Sequence, residues 1–460
     1  MDNKQKILII GGGGREHAIG WKIKQSERCG DLYFAPGNGG TLSLGMNVDI
    51  KATDIKALME FVKREKIDLT LAIPDDPLAL GIVDLFQKEG LRIFGPTKNA
   101  AQLESSKAFS KNFMKKHNLP TAKFEVFTSY EIAKKYLENH SLPVVVKVSG
   151  LALGKGVFIC ENLNEANRAI ENILLKKTFG EAGNEIVIEE FMTGPEISTH
   201  AFTDGVNYSI FPTSQDHKRI GEDDKGLNTG GMGTIAPLPF VTKELLQNIE
   251  NTIIAPTLKA MKEDGNKFSG VVYPGLMLTE SGPKILEYNA RFGDPETQTY
   301  IRLLDTDLLD IIDACIDDTL DKVEIKWKNL SACTIVLASG GYPENYEKGK
   351  IISGINSPLE ESPKGEVDLN LELIYPPRPL ITKSTPQEGN DIVIFHAGTK
   401  YDENKNLITN GGRVLGVTAI GKNLEEALNK AYKAVEKIQF EGMYYRKDIG
   451  KKALNTSIVF

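Results

Sequence analysis

The first hundred residues alternate short apolar runs with amphipathic ones, which leaves few folds open. Residues 7–10 (ILII) read as a buried strand, 16–25 as a helix, 31–35 as a strand, 55–66 as a helix and 69–73 as a strand. A helix at 77–87 and a fourth strand at 91–94 complete the series. Strands joined through helices make right-handed crossovers around a parallel sheet. Ligands of such sheets bind beyond the carboxyl ends of the strands. Three loops lie there: GGGGREH (11–17), PGNGG (36–40) and PDDP (74–77). Helix-terminal N–H groups without Cβ atoms in the way form an anion site, so Gly12, Gly13, Gly14 and Arg15 are expected to hold a phosphate. A dinucleotide fits poorly: the third fingerprint glycine is replaced by Glu16 or His17, and the second strand ends in Ala35-Pro36-Gly37 with no acid for a ribose.

At 460 residues the chain has room for about three domains. A net charge of −7 argues against general nucleic-acid binding, which needs a basic surface. Cys29, Cys160, Cys315 and Cys333 are far apart and read as free thiols. Few residues precede the first strand and no apolar run is long enough to span a bilayer, so a cytoplasmic protein without membrane contact is expected.

Beyond residue 100, a helix at 105–117 leads into an α+β segment whose strands flank SGLALGKG (149–156), ending in a strand at 185–190. This is not a Walker loop: Gly150 and Gly154 are one residue too close, and Gly156 stands where a Ser or Thr should be. It reads instead as a flexible hairpin flap over phosphates, with Lys155 and the in-strand Lys147 as cations; a buried lysine needs a partner. IVIEEFMTGPE (186–196) reads as a strand and hinge that could meet an adenine edge, with Glu196 on ribose hydroxyls. Residues 214–239 read as a long loop, charged at QDHKR (215–219) and closed by glycines at NTGGMG (228–233). Asp216, Lys218 and Arg219 are its gripping groups; His217 is a candidate base or a hydrogen-bonding spacer. A helix at 243–264 and strands at 269–278 and 284–289 follow.

ILEYNARFGDPETQ (285–298) carries the sharpest chemistry. Glu287 and Asn289 are two apart in an apolar strand and share a face. Both offer oxygen, the donor that Mg²⁺ prefers and shares with substrate phosphates. Arg291 and Asp294 follow on the adjoining loop. Together these imply nucleotide-dependent phosphoryl transfer. A last domain, from about residue 327, has strands at 332–337 and 392–395 and a helix at 423–437. Residues 358–390 look like a surface excursion.

Lys107, Lys147, SGLALGKGV, EEF, QDHKR, NTGGMG and EYNARFGDPETQ, in this order, resemble the phosphoribosylamine–glycine ligases of the ATP-grasp superfamily. GGGGREH, FHAGT (395–399), GGRVL (411–415) and YRKDIG (445–450) extend the match over almost the whole chain. The resemblance implies an N-terminal α/β domain (1–104), an ATP-grasp core (105–123 and 191–326), a lid subdomain (124–190) and an α+β C-terminal domain (327–460). It implies that ATP, with Mg²⁺ or Mn²⁺ on Glu287 and Asn289, activates glycine as an acyl phosphate that 5-phosphoribosylamine then attacks. ATP would meet Lys107, Lys147, Gly154, Lys155, Gly156 and Lys218, with Glu189, Glu190, Phe191, Met192 and Glu196 along the hinge. Arg291 would hold the glycine carboxylate, and Asp216 and Asp294 its ammonium. The ribosyl substrate would meet Gly12–Arg15, Asn38, Gly39, Asp75 and Arg413. The enzyme would be a monomer. The chain departs from the family pattern at Ile73 and Asp75, where glycine and glutamate are usual, and at Ser149 and Glu344. Two rivals stay open: an ATP-grasp ligase or carboxylase that activates a different acid, and a catalytically silent nucleotide-binding protein.

Overall fold

The computed structural model describes residues 4–152, 155–355 and 391–455; the 358–390 excursion and Gly154 lie outside them. In the N-terminal region five parallel strands run in the order Met46–Asn47, Cys29–Pro36, Gln5–Gly11, Leu69–Ala72, Ile93–Phe94. The strand order reverses at Gln5–Gly11, which places the glycine loop at the switch point where such sheets leave a crevice. The single helix expected at 77–87 is two, Asp75–Leu80 and Ile82–Lys88. They part at Gly81, whose φ of +87° lies in the left-handed region that glycine tolerates. The 105–117 helix also begins differently. Ser106 closes one helix (Lys98–Ser105) and caps the next (Lys107–Lys116), its hydroxyl accepting from Phe109 N at 3.1 Å.

The region expected to form the lid contains a four-stranded antiparallel sheet, ordered Phe124–Phe127, Ile186–Glu190, Val144–Val148, Val157–Cys160. Helices Tyr130–Glu138 and Leu163–Ile170 pack on it around a core of its own, including Val144, Val146, Val148, Ile186 and Ile188. The central sheet is built on Gly270–Thr279, paired with Gly282–Asn289 on one side and with Glu196–Ser198 and Ala201–Thr203 on the other.

Residues 214–239 are more ordered than their sequence implies. Gln215–Asp216 and Gly233–Ala236 join Ser331–Ala338, Arg413–Gly421 and Ile392–His396 in one sheet, and Arg219–Gly221 pairs with Lys225–Asn228 in a hairpin. Strands of two to four residues are too short to show an alternating pattern. The helical stretch after residue 242 contains a π turn, Glu250–Ile254, ahead of Ala255–Glu263. Pro256 lacks the N–H that an α turn would take from it. All four cysteines are buried free thiols. No helix among the described residues is long and apolar enough to cross a membrane.

Candidate active site

A cleft of about 1340 Å³ opens between the lid, the central sheet and the C-terminal region. One small ligand fills at most about 1,000 Å³, so the space suits a nucleotide and a second substrate. Its floor is the strand Gly282–Asn289, whose register against Gly270–Thr279 slips by one residue, leaving Leu286 unpaired. The Leu286 carbonyl accepts from Lys147 Nζ at 3.1 Å. Glu287 faces Gly275 and Asn289 faces Tyr273, and both line the cleft. Burial opposes ionisation of Glu287, but Lys218, Lys107 and Lys147 bring its carboxyl down to about 2; Lys218 Nζ stands 3.3 Å away. Among the described residues no cluster of three or more His, Cys, Asp or Glu could cage an ion. A permanently ionised carboxylate and a carboxamide are the sparse oxygen set of an ion shared with phosphates, and they fit a divalent metal.

Lysines gather beside this pair. Lys147, buried in the apolar strand Val144–Val148, is ion-paired with Glu189, and Lys111 Nζ stands 2.5 Å from the other carboxylate oxygen. Lys107 opens its helix against the flap, donating its backbone N–H to Ser149 O at 2.7 Å, while Ser149 Oγ accepts from Ala108 N. Lys155, Gly156, Glu190, Phe191 and Met192 also line the cleft. Glu196 is ion-paired with Lys218. Burial works against the charge on Lys218, but Glu196 and Glu287 more than restore it.

The cleft lining also includes Arg15, Asp75, Asp216, Arg291, Asp294 and Arg413. Arg291 donates to Asn289 Oδ1 at 3.1 Å and pairs with buried Glu104 at 2.8 Å, while its Nε is buried without a partner among the described residues. Asp216 Oδ1 is likewise orphaned; burial, then the nearby Glu296, push its carboxyl well above the usual range. Glu296 Oε1 accepts from Tyr273 OH at 2.6 Å. Asp294 is buried, but Arg413 and Arg15 hold its carboxyl low. Arg413 ties two loops together, donating to Gly230 O at 2.6 Å and Asp294 O at 2.7 Å.

Gly12, Gly13, Gly14, Asn38 and Gly39 do not line the cleft. Glu16, which breaks the dinucleotide fingerprint, caps the glycine turn by accepting from Gly13 N at 2.7 Å. A Cβ on Gly12 would stand 2.4 Å from Gly37 O, and one on Gly14 2.6 Å from Gln298 Nε2. These glycines let other loops approach. Asn38 Nδ2 donates to Gly12 O and His396 O, its Oδ1 accepts from Gly40 N, and Gly39 N donates to Thr399 O. The PGNGG loop is therefore a joint to the C-terminal region, and of this group Arg15 carries charge into the cleft. His217 is a spacer: Nδ1 bonds to Gly233 O at 3.0 Å, Nε2 accepts from Gly450 N at 3.1 Å, and burial lowers its pKa to about 4. Arg219 donates to Gly226 O within its own hairpin.

Sequence reasoning assigned no role to Glu104, Lys111, Tyr273, Glu296 or Arg446. A signal existed for two of them: Glu104 and Lys111 lie three residues before and four after Lys107. Arg446, fully buried, pairs with Asp224 and Asp448 and clasps the 222–224 turn to the C-terminal segment.

Three family models match in order along the chain: the N domain (5–104), the ATP-grasp (A) domain (105–297) and the C domain (375–452) of phosphoribosylglycinamide synthetase. A phosphoribosylamine–glycine ligase of Chlorobaculum tepidum is 46% identical over 98% of this chain and 100% of its own. One from Caldanaerobacter subterraneus is 43% identical over 96% and 99%. The crystal structure of the Thermotoga maritima phosphoribosylamine–glycine ligase superposes with a TM-score of 0.79 at 33% identity, covering 96% of this chain and 99% of that one. A biotin carboxylase from Campylobacter jejuni has a TM-score of 0.70 at 13% identity over 96% of this chain and 93% of its own, which shows a shared fold. ATP with a divalent metal is the common requirement of this family. The chain belongs to the phosphoribosylglycinamide synthetase family of ATP-grasp ligases.

Proposed function

We propose that the protein joins glycine to 5-phosphoribosylamine at the expense of ATP, releasing ADP, phosphate and glycinamide ribonucleotide, a step of purine synthesis. One observation carries this reading: a single cleft is lined by Lys107, Lys147, Lys155, Glu287 and Asn289 together with Arg15, Asp216, Arg291 and Asp294. A glycine carboxylate is a poor electrophile and must first become an acyl phosphate. The lysines offset the charge developing on the transferred phosphoryl group, which is catalysis by position and electrostatics. Mg²⁺ or Mn²⁺, held by Glu287 and Asn289, would neutralise phosphate charge beside them. Arg291, aimed by Glu104 and with Nε unpaired, holds the glycine carboxylate through its planar fork. The orphaned Asp216 oxygen accepts from the glycine ammonium, and Asp294 flanks it. Arg15 and Asp75 receive the ribosyl substrate, whose amine displaces phosphate from glycyl phosphate. Lid closure keeps water from the acyl phosphate.

A coupled ADP-release assay with glycine and freshly made phosphoribosylamine, each omitted in turn, tests the reading. ADP release that needs both is expected; release that depends on bicarbonate in place of glycine overturns it.

A further inference from the structure

At the wall of the cleft lies a three-member ion cluster that is almost wholly buried. The Glu189 carboxylate receives an ammonium on each oxygen: Lys147 on Oε1 and Lys111, at 2.5 Å, on Oε2. Their side chains are 2–7% exposed, and Lys111 is the group that answers Oε2. Two cations and one anion leave one net positive charge; Lys147 and Glu189 both border the cleft, and Lys111 is not among its lining residues.

We propose that Lys111 is a positioning residue for ATP. It compensates the Glu189 charge so that Lys147, anchored on the same carboxylate, keeps its own charge for the nucleotide phosphates. This rests on the reading of Lys147 as a phosphate ligand given above. Without Lys111, Lys147 and Glu189 form a neutral pair, and in a buried site a full counter-charge at contact cancels most of the field an ammonium casts. Lys111 also donates to Thr121 Oγ1 at 2.8 Å, and Thr121 donates to Ile285 O at 2.7 Å, two residues before Glu287. The competing role, a purely structural tie between helix Lys107–Lys116 and strand Gly282–Asn289, would rest on these hydrogen bonds and not on charge.

The test is calorimetric binding of a non-hydrolysable ATP analogue with Mg²⁺ to Lys111→Met, Lys111→Gln, Lys111→Arg and Lys147→Met, with thermal unfolding alongside. Lys111→Gln keeps a hydrogen-bonding head and removes the charge, whereas Lys111→Arg keeps the charge. Lys111→Met and Lys111→Gln are expected to weaken binding by about tenfold or more, and Lys111→Arg to stay within about threefold of the parent. Should Lys111→Met not fold, Lys111→Gln and Lys111→Arg decide between charge and tie. Parental affinity in Lys111→Gln, or a folded Lys111→Arg that binds no tighter than Lys111→Gln, overturns it. Parental affinity in Lys147→Met overturns the phosphate role of Lys147 and this inference with it. Weak binding there alongside parental binding in Lys111→Gln removes this inference alone.

Discussion

Glu287 and Asn289 show how far a single residue can be read. Their spacing placed two oxygens on one face, and in the fold both line the cleft. Glu287→Gln and Asn289→Ala are each expected to lower turnover by at least about 100-fold at saturating Mg²⁺ while far-UV dichroism stays unchanged; an unaltered rate in either removes its metal assignment. Arg291 reaches Glu104, Asn289 and Phe292 O with separate guanidinium nitrogens or shared ones, geometry that a lysine cannot reproduce. Arg291→Lys should raise the KM for glycine by about tenfold or more and leave the KM for ATP within about twofold. Lys147 was legible because a lysine inside VVVKV needs a partner. Which acid answers it was not, because Glu189 is more than forty residues away in sequence.

At the scale of elements, the flap hairpin is the part that sequence described best. Its strands flank the glycine-rich turn as expected, and among the described residues its base is tied by Val148 N to Gly156 O, Ser149 N to Glu185 O, Gly150 N to Ala182 O, Lys155 N to Ala152 O and Lys107 N to Ser149 O. Amide exchange at residues 149–152 and 155–156 should slow when an ATP analogue and Mg²⁺ are added, as lids order on ligand binding. Equal exchange in both states would rule out closure on the nucleotide. The glycine loop is less one-sided. Four glycines at a strand-to-helix turn are expected for an anion as much as for close packing, and here Glu16 occupies Gly13 N while Gly37 and Gln298 press against Gly12 and Gly14.

Across the whole molecule, buried imidazoles set the response to acid. Burial holds His217 and His396 at about 4, and His17 and His200 are also lowered. An unfolded histidine takes its proton near 6.5. Between about 6.5 and 4 the unfolded chain therefore binds more protons, and stability falls as pH falls, by about 3 kcal/mol each for His217 and His396 at full development. Glu287 and Asp448, both held near 2, add to the loss only below about 4.5. Urea midpoints measured from pH 7 to 4.5 should decline, and His217→Gln should flatten the decline; a flat parental profile would contradict neutral buried rings. Arg446→Met, which takes the guanidinium from Asp448 and leaves Asp224 to Lys452, should cost about 3 kcal/mol in urea unfolding.

The sequence by itself determined the parallel N-terminal sheet, the hairpin around the glycine-rich turn, the buried lysine and the two oxygen side chains that share a strand face. Each depends on a local pattern: alternating strand and helix periods, glycines at a turn, a charge inside an apolar run, two oxygens at period two. Tertiary structure alone decided which charges answer one another. Glu104 with Arg291, Lys111 with Glu189, and Arg446 with Asp224 join residues 187, 78 and 222 positions apart. It also made a sheet from strands 215–216, 233–236, 331–338, 392–396 and 413–421. Side-chain periodicity says which face of an element is buried, but not which distant element buries it. A buried charge cannot stay unpaired, so the need for a partner is written locally and the partner is chosen only when the chain closes on itself.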